Sequence, residues 1–363
     1  MSKAAKGERA EKIVREDIAT IAKNLGKDAK KLEGKTILIS GGAGFLGKYL
    51  IGTLCYLNDH VLKKPCRIIS VDNFITGSHH RHFNYRGRSD VLEVWADVSN
   101  PLPMREDINF IMHAAGLASP VYYKKYPLET INSAVSGIEN LLELARKNAD
   151  FEGFLFFSSS EIYGDPDERA IPTPETYHGY VSSVGPRACY DESKRLGETI
   201  ATIYYEQFDV PVSIVRPFNV FGPGMGHNDQ RVIPMFTYLS INKKPIRVHG
   251  EGTQTRTFCY ITDAITGFFQ VLLQGKRGEA YYICNSMNEI GMYDLAKLYT
   301  KLVPGSKATL VPYPSTYPAG EPQRRCPDLA KAKKDIKYAF RVDMHEGLKR
   351  FIDWAKEEPG YHT

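Results

Sequence analysis

At 363 residues, 42% of them hydrophobic, the chain is long enough to bury a large core, in two lobes or in one large α/β domain. A formal charge of +5 and an isoelectric point near 8.7 are modestly basic, and the positive residues are scattered rather than set in a stripe, which suits anionic metabolites and argues against nucleic acid. Cys55, Cys66, Cys189, Cys259, Cys284 and Cys326 lack C-x-x-C spacing and no apolar run approaches the ~20 residues that span a bilayer, so a metal site, a disulfide framework and membrane insertion are not expected; nor is a secretory leader, and a cytoplasmic protein with reduced thiols is.

Residues 1–34 precede the first strand. Val14, Ile18, Ile21 and Leu25 recur at helical spacing among charged residues, which predicts an amphipathic helix ending near Gly26. Its apolar stripe is narrow and short of aromatics, so packing on the protein's own core or a dimer mate is expected ahead of a membrane or another partner.

The apolar strand Ile37-Leu38-Ile39-Ser40 then runs into Gly41, Gly44 and Gly47, spaced G-x-x-G-x-x-G with Phe45 and Leu46 between them, and into a helix. Gly41 permits a tight turn, Gly44 lets backbone approach a pyrophosphate and Gly47 lets helix and strand pack closely, with the helix N-terminus facing the phosphates of a dinucleotide. A second apolar run, 67–71, ends in Asp72, where a carboxylate accepts from a ribose 2′-hydroxyl and repels a 2′-phosphate; NAD is favoured over NADP.

Further strands are predicted at 91–94, 110–113 and 154–157, alternating with helical patterns such as 132–147, which means a parallel sheet with helices on both faces. Asp97-Val98 follows the third strand where an adenine edge is met by a side chain and a backbone amide. Ala115 lies among small residues ending the fourth strand, which leave room for a cofactor; core packing explains them too.

Ser158-Ser159-Ser160-Glu161 and Tyr190-Asp191-Glu192-Ser193-Lys194 are the most informative stretches. Tyr190 and Lys194 are four apart and share a helix face, so an ammonium, helped by a bound nicotinamide cation, is expected to bring the tyrosine pKa down toward that of a working general base. Ser159 and Ser160 supply a hydroxyl that orients the substrate alcohol, and the chemistry opens with a hydride. Glu161 is open to a capping or ion-pair role as well as a catalytic one, and Arg187 and Arg256 to interdomain salt bridges. Beyond Arg216 turns and shorter elements predominate, consistent with a smaller lobe over the sheet's C-terminal edge. The division is a helical extension (1–34), a mainly NAD-binding domain (35–215) and a mainly substrate-binding lobe (216–363) with some chain crossing back to the sheet. The last helix, around 347–354, carries no catalytic signal.

Taken together, the glycine motif, Asp72-Asn73-Phe74, the Ser-Ser-Ser-Glu strand end, the Tyr190/Lys194 pair and Arg216-Pro217-Phe218-Asn219-Val220-Phe221-Gly222-Pro223 resemble the extended short-chain dehydrogenases/reductases that act on nucleotide sugars, over roughly residues 35–355. The resemblance implies a Rossmann-type parallel sheet with a smaller C-terminal α/β substrate lobe and a tightly held, recycled NAD. It also implies 4-epimerase, 4,6-dehydratase or UDP-glucuronate decarboxylase activity through a shared 4-keto sugar. Ser160 replaces the aspartate of a typical dehydratase, and Glu161 is absent from a typical 4-epimerase. Ser-Glu, Ser119-Pro120 with Tyr122 and Tyr123 beside the sugar, Gly185-Pro186-Arg187 and Gln254-Thr255-Arg256-Thr257-Phe258 resemble the decarboxylase pattern. By resemblance Arg256 lies near the sugar, Arg187 meets a phosphate or the sugar carboxylate, and Asn219, Arg231 and Arg325 meet the diphosphate. His249 stands near the uridine, where the family often has tyrosine. A homodimer through a four-helix contact of 132–147 and 190–207 is also implied. Epimerisation, 4-oxidation, dehydration and a non-enzymatic NAD-sensing or RNA-associated role remain alternatives.

Overall fold

A computed structural model of the chain describes residues 7–77, 82–83, 85–104, 107–313 and 322–362. Its first element is a helix, α1 (Glu8–Leu25), followed by a short 3₁₀ segment. The Rossmann core comprises β1 (Thr36–Ser40), α2 (Phe45–His60), β2 (Arg67–Asp72), β3 (Val91–Trp95), β4 (Phe110–His113), α3 (Pro120–Lys125), α4 (Pro127–Ala134), α5 (Ser136–Arg146), β5 (Gly153–Phe157), α6 (Ala188–Phe208) and β6 (Val212–Pro217). Beyond it lie β7 (Val220–Phe221), α7 (Val232–Ile241), β8 (Ile246–His249), β9 (Thr255–Thr257), β10 (Cys259–Tyr260), α8 (Ile261–Gln274) and β11 (Ala280–Ile283). The chain ends with β12 (Glu289–Gly291), α9 (Met292–Leu302), β13 (Ala308–Val311), α10 (Ala330–Ile336) and α11 (Met344–Ala355).

Seven strands form one parallel sheet in the order β11-β6-β5-β4-β1-β2-β3. The order reverses between β1 and β4, and ligands of such sheets bind in the crevice beyond the strand C-termini at that point. Buried on both faces, the strands read as near-continuous apolar runs, and their side chains alternate between two cores. Leu38, Phe154 and Phe156 pack with Ile138, Leu141 and Leu142 of α5 and Ile200 of α6; Ile37, Ile39, Leu155 and Phe157 face α2 and α8 on the other side.

The helical run expected over 132–147 is broken at Val135 into α4 and α5. All the apolar residues of α5 that face inward, Ile138, Leu141, Leu142 and Ala145, are taken by its own core. Exposed apolar side chains sit instead on α4 (Leu128, Ile131) and α6 (Leu196, Ile203).

Helix α1 runs from 8 to 25, ending at the expected glycine, and packs on the molecule itself, against α8, α2 and α11. Ile18 lies over Gly52 of α2, where an added Cβ would come within 2.9 Å of its Cδ1. Asp17 is buried in this interface: its carboxylate accepts from the Tyr260 hydroxyl at 2.7 Å and from Arg350 Nη2 at 2.8 Å. Arg9 pairs with Asp353 at 2.7 Å, and the Gly7 amide donates to Glu357 at 3.2 Å. The last helix, featureless in sequence, is therefore the clamp for the first.

Burial raises the Asp17 pKa from 3.8 to about 6, against the opposing pull of Arg350. An acid whose folded pKa lies above its unfolded one binds its proton more tightly when folded, so the site's contribution is greatest below pH 4 and falls as pH rises toward 6. Equilibrium urea unfolding should show Asp17→Asn losing this decline, roughly 1–3 kcal/mol between the two limits; an unaltered pH profile would contradict the assignment.

Candidate active site

The turn from β1 into α2 is built so that only glycine fits at its key positions. Gly41 has φ +75°, and a Cβ there would meet the backbone of Ala115 at 2.8 Å; a Cβ on Gly47 would stand 2.1 Å from the Gly41 carbonyl oxygen. The opposite wall is fixed by His113, whose pKa burial lowers to about 3, so the ring is neutral. With Nε2 donating to the Ser133 carbonyl at 3.0 Å, Nδ1 accepts from Ser40 Oγ at 2.7 Å, and Ser40 Oγ in turn accepts from the Ala115 amide at 3.4 Å. Asp72, at the end of β2, accepts from the amides of Ala43 (2.9 Å) and Phe74 (2.7 Å), which aims its carboxylate across the turn. Asn73 donates to Asp97 at 3.0 Å, and Asp97 also accepts from the Ser99 amide and hydroxyl. Val98 is buried against Gly137. A narrow glycine turn at a helix start, with Phe45 and Leu46 in the helix's first turn and a carboxylate at the neighbouring strand end, is the donor and acceptor set that a dinucleotide fits.

At the end of β5, Ser159 caps a 3₁₀ turn (160–163), its Oγ accepting from the Glu161 amide at 3.2 Å. Ser160 is buried within that turn. From α6, Tyr190 is buried and stacks on Tyr123, ring centres 5.6 Å apart and planes within 20°. Burial raises its pKa above the usual phenol range, while the Ser159 hydroxyl and the cations Arg231 and Arg187 pull the other way. Lys194 is one turn along on the same helix, but its Nζ donates to the Phe157 carbonyl at 2.7 Å and lies 6.0 Å from the Tyr190 ring centre. Desolvation of the ammonium lowers its own pKa to about 8. The expected depression of the Tyr190 pKa by its lysine neighbour is therefore not seen: desolvation of the phenolate outweighs the charges around it.

The expected arginines gather here with acidic partners. Arg231 forms a two-pronged pair with Asp229 (Nε–Oδ2 2.9 Å, Nη2–Oδ2 2.5 Å), and Asp229 accepts from Ser119 Oγ at 3.3 Å. Although Asp229 is buried, which raises a carboxyl pKa, Arg231 wins and holds it below the usual range. Arg325 donates from Nε and Nη2 to the Gly164 carbonyl (3.0 and 2.8 Å) and from Nη1 to Glu161. Arg187 reaches the other Glu161 oxygen and, through Nε, Asp191 Oδ2 at 3.3 Å. Burial raises the Asp191 pKa, opposed by Arg187 and Arg325.

Other expected residues have protein partners in this structure. Asn219, at φ +29°, donates from Nδ2 to the Thr257 carbonyl at 2.9 Å. Arg256, on β9, donates to the Thr255 carbonyl at 2.8 Å, and β9 is tied to the Arg325 stretch by Thr257 Oγ1 at 2.7 Å. His249 sits at the end of β8 with its ring 6.1 Å from that of Tyr313, in a separate two-stranded sheet. Pro120 opens α3, the Tyr122 hydroxyl accepts from Asn228 at 3.2 Å, and Tyr123 backs Tyr190. Asp229 and Asp191 escaped the sequence reading, although their spacing from Arg231 and Arg187, two and four residues, was a usable signal.

The model of the NAD dependent epimerase/dehydratase family matches residues 37–284. UDP-glucuronic acid decarboxylase 1 of Arabidopsis thaliana is 36% identical over 318 residues, 87% of this chain and 68% of that protein. UDP-glucuronic acid decarboxylase 3 of the same plant is 35% identical over 313 residues, 86% of each chain. Among solved structures, dTDP-glucose 4,6-dehydratase from Bacillus anthracis in complex with NAD superposes with a TM-score of 0.76 at 21% identity, covering 90% of this chain and 98% of that one.

Gly47→Ala should weaken NAD binding at least about tenfold while leaving the far-ultraviolet circular dichroism unchanged, because its Cβ overlaps the turn's own carbonyl; unaltered affinity would mean that phosphate is not held at this turn. The glycine turn, its carboxylate and the Tyr190 helix all lie within the matched residues, and the chain belongs to the NAD dependent epimerase/dehydratase family.

Proposed function

We propose that the chain decarboxylates UDP-glucuronate to UDP-xylose with no net oxidation. The observation that carries this reading is the sequence Ser160-Glu161 just after β5, with Glu161 drawn both to Arg187, at the start of the helix that carries Tyr190, and to Arg325, from the stretch before α10. Serine at 160 offers no acid to expel a C6 hydroxyl, which disfavours dehydration. The decarboxylase relatives support the same choice.

When bound, NAD supplies the acceptor for the C4 hydride and the source of its return. Tyr190 takes the C4 hydroxyl proton, with Ser159 and Ser160 orienting that hydroxyl and the Lys194 ammonium one turn along the same helix. In the resulting β-keto acid the bond from C5 to the carboxylate breaks, carbon dioxide leaves, and the C4 ketone takes the electron pair as an enolate. Arg256, through water, protonates C5; Glu161 orients that water or the sugar. Tyr190 then returns its proton to the C4 oxygen. Residues 35–215 mainly hold the dinucleotide through Gly41, Gly44, Phe45, Leu46, Gly47, Asp72, Asn73, Asp97, Val98 and Ala115. Residues 216–363 mainly hold the nucleotide sugar, helped by Ser119, Pro120, Tyr122 and Tyr123; Asn219, Arg231 and His249 face its diphosphate and uridine. The free cysteines fit a cytoplasmic setting. Among the described residues no helix is long and apolar enough to cross a membrane.

Incubation of the protein with UDP-glucuronate and NAD, with mass analysis of the nucleotide sugar and trapping of carbon dioxide, should show loss of one carbon dioxide without net NADH. Unchanged mass at a new chromatographic position would replace this reading with 4-epimerisation. Tyr190→Phe should lower kcat by about 10²–10⁴-fold, and Glu161→Gln should spare NAD binding while greatly slowing turnover; full turnover in the glutamine variant would remove Glu161 from the mechanism.

The exposed apolar residues of α4 and α6 are the basis for a homodimer joined through a four-helix contact. Leu196→Glu should halve the mass measured by light scattering, and an unchanged mass would exclude this face.

A further inference from the structure

Arg187 and Arg325 come from different parts of the chain, and each has a structural anchor. Arg325, its side chain only 4% exposed, is pinned by two donations to the Gly164 carbonyl. Arg187, at the start of α6, is pinned through Nε to Asp191. From these anchors one terminal nitrogen of each guanidinium converges on a single carboxylate, that of Glu161. Two fixed cations pointing at one carboxylate constitute a carboxylate-binding position, since paired guanidinium donors match that group's geometry and charge.

The carboxylate that now fills the position is the one best able to leave it. Glu161 is 21% exposed, on a four-residue 3₁₀ turn at the site's edge. By contrast Asp229 is held by three donations from its arginine's side chain, a further one from that residue's amide and one from Ser119. The anchors at Gly164 and Asp191 do not involve Glu161, so the two arginines keep their places when it moves.

We propose that Glu161 is a placeholder: its carboxylate occupies the Arg187–Arg325 position until the carboxylate of a uronic acid sugar exchanges with it. The inference rests on the decarboxylase reading and adds to it a determinant of specificity. A neutral sugar has nothing to offer the two guanidinium groups in return for Glu161, whereas a uronate restores both ion pairs and releases Glu161 toward the sugar. The same cations also suit a diphosphate, so the test separates the two anions.

Titration calorimetry on NAD-loaded protein, in a Tyr190→Phe background that halts turnover, would compare UDP, UDP-glucose and UDP-glucuronate with and without Glu161→Gln. Removal of the competing charge is expected to tighten UDP-glucuronate about tenfold and to change UDP and UDP-glucose by less than about twofold. Equal tightening of UDP would assign the position to the diphosphate, and no tightening would remove the placeholder; either overturns the proposal. Arg187→Gln, with its fold checked by thermal melting, should abolish the preference for UDP-glucuronate over UDP-glucose and leave UDP affinity within about twofold, and a retained preference would equally overturn it. Carboxylate-selective tightening in a protein whose Tyr190 form releases no carbon dioxide would sink the decarboxylase reading alone.

Discussion

A guanidinium cannot leave water without its counter-charge. This constraint shapes the surroundings of Tyr190, because an unpaired buried cation costs several kcal/mol. Arg231 enters with Asp229, Arg187 with Asp191 and Glu161, and Arg325 with Glu161 and the Gly164 carbonyl. The pairs in turn fix loops that carry no regular structure of their own. Asp229 ties the stretch before α7 to Ser119 at the start of α3, and Arg325 ties the stretch before α10 to the turn after β5. Thus the smaller elements are joined to the C-terminal edge of the sheet by charge, while the sheet itself is held by apolar packing.

The contrast explains what could be read in the sequence. Strands β1, β2 and β4 are apolar runs bounded by turn residues, and a sheet buried on both faces writes that pattern directly into the chain. Gly41 and Gly47 were legible for a similar reason: the backbone approaches so closely that no other residue fits, and the requirement is local. The break at Val135 was not legible, since α4 and α5 each continue the helical periodicity and only their different packing separates them. Pairings such as Arg325 with Glu161 span 164 residues, and no spacing rule reaches that far. In the chain alone burial sets the direction of the Tyr190 pKa, and its four-residue spacing from Lys194 reveals proximity but not burial.

The extension before β1 shows the same limit from another side. Its apolar stripe at Val14, Ile18, Ile21 and Leu25 announced a packed face, and that face lies on the protein's own core. Nothing in the stripe identified Asp17, a charge on an apolar face, as the partner of Arg350. Their carboxylate and guanidinium are 333 residues apart and meet over the Tyr260 hydroxyl. Helix α2, which begins at the glycine turn, is therefore braced from outside by α1 at Gly52.

This bracing joins the earliest helix to the latest, at Arg9–Asp353 and Asp17–Arg350, and closes the chain into a ring. Contacts so remote in sequence carry a large loop-closure cost, and topologies rich in them fold slowly. Once formed, they bind the first and last described helices to each other: loosening α1 strips cover from α11 and uncovers the outer surface of α2 and α8.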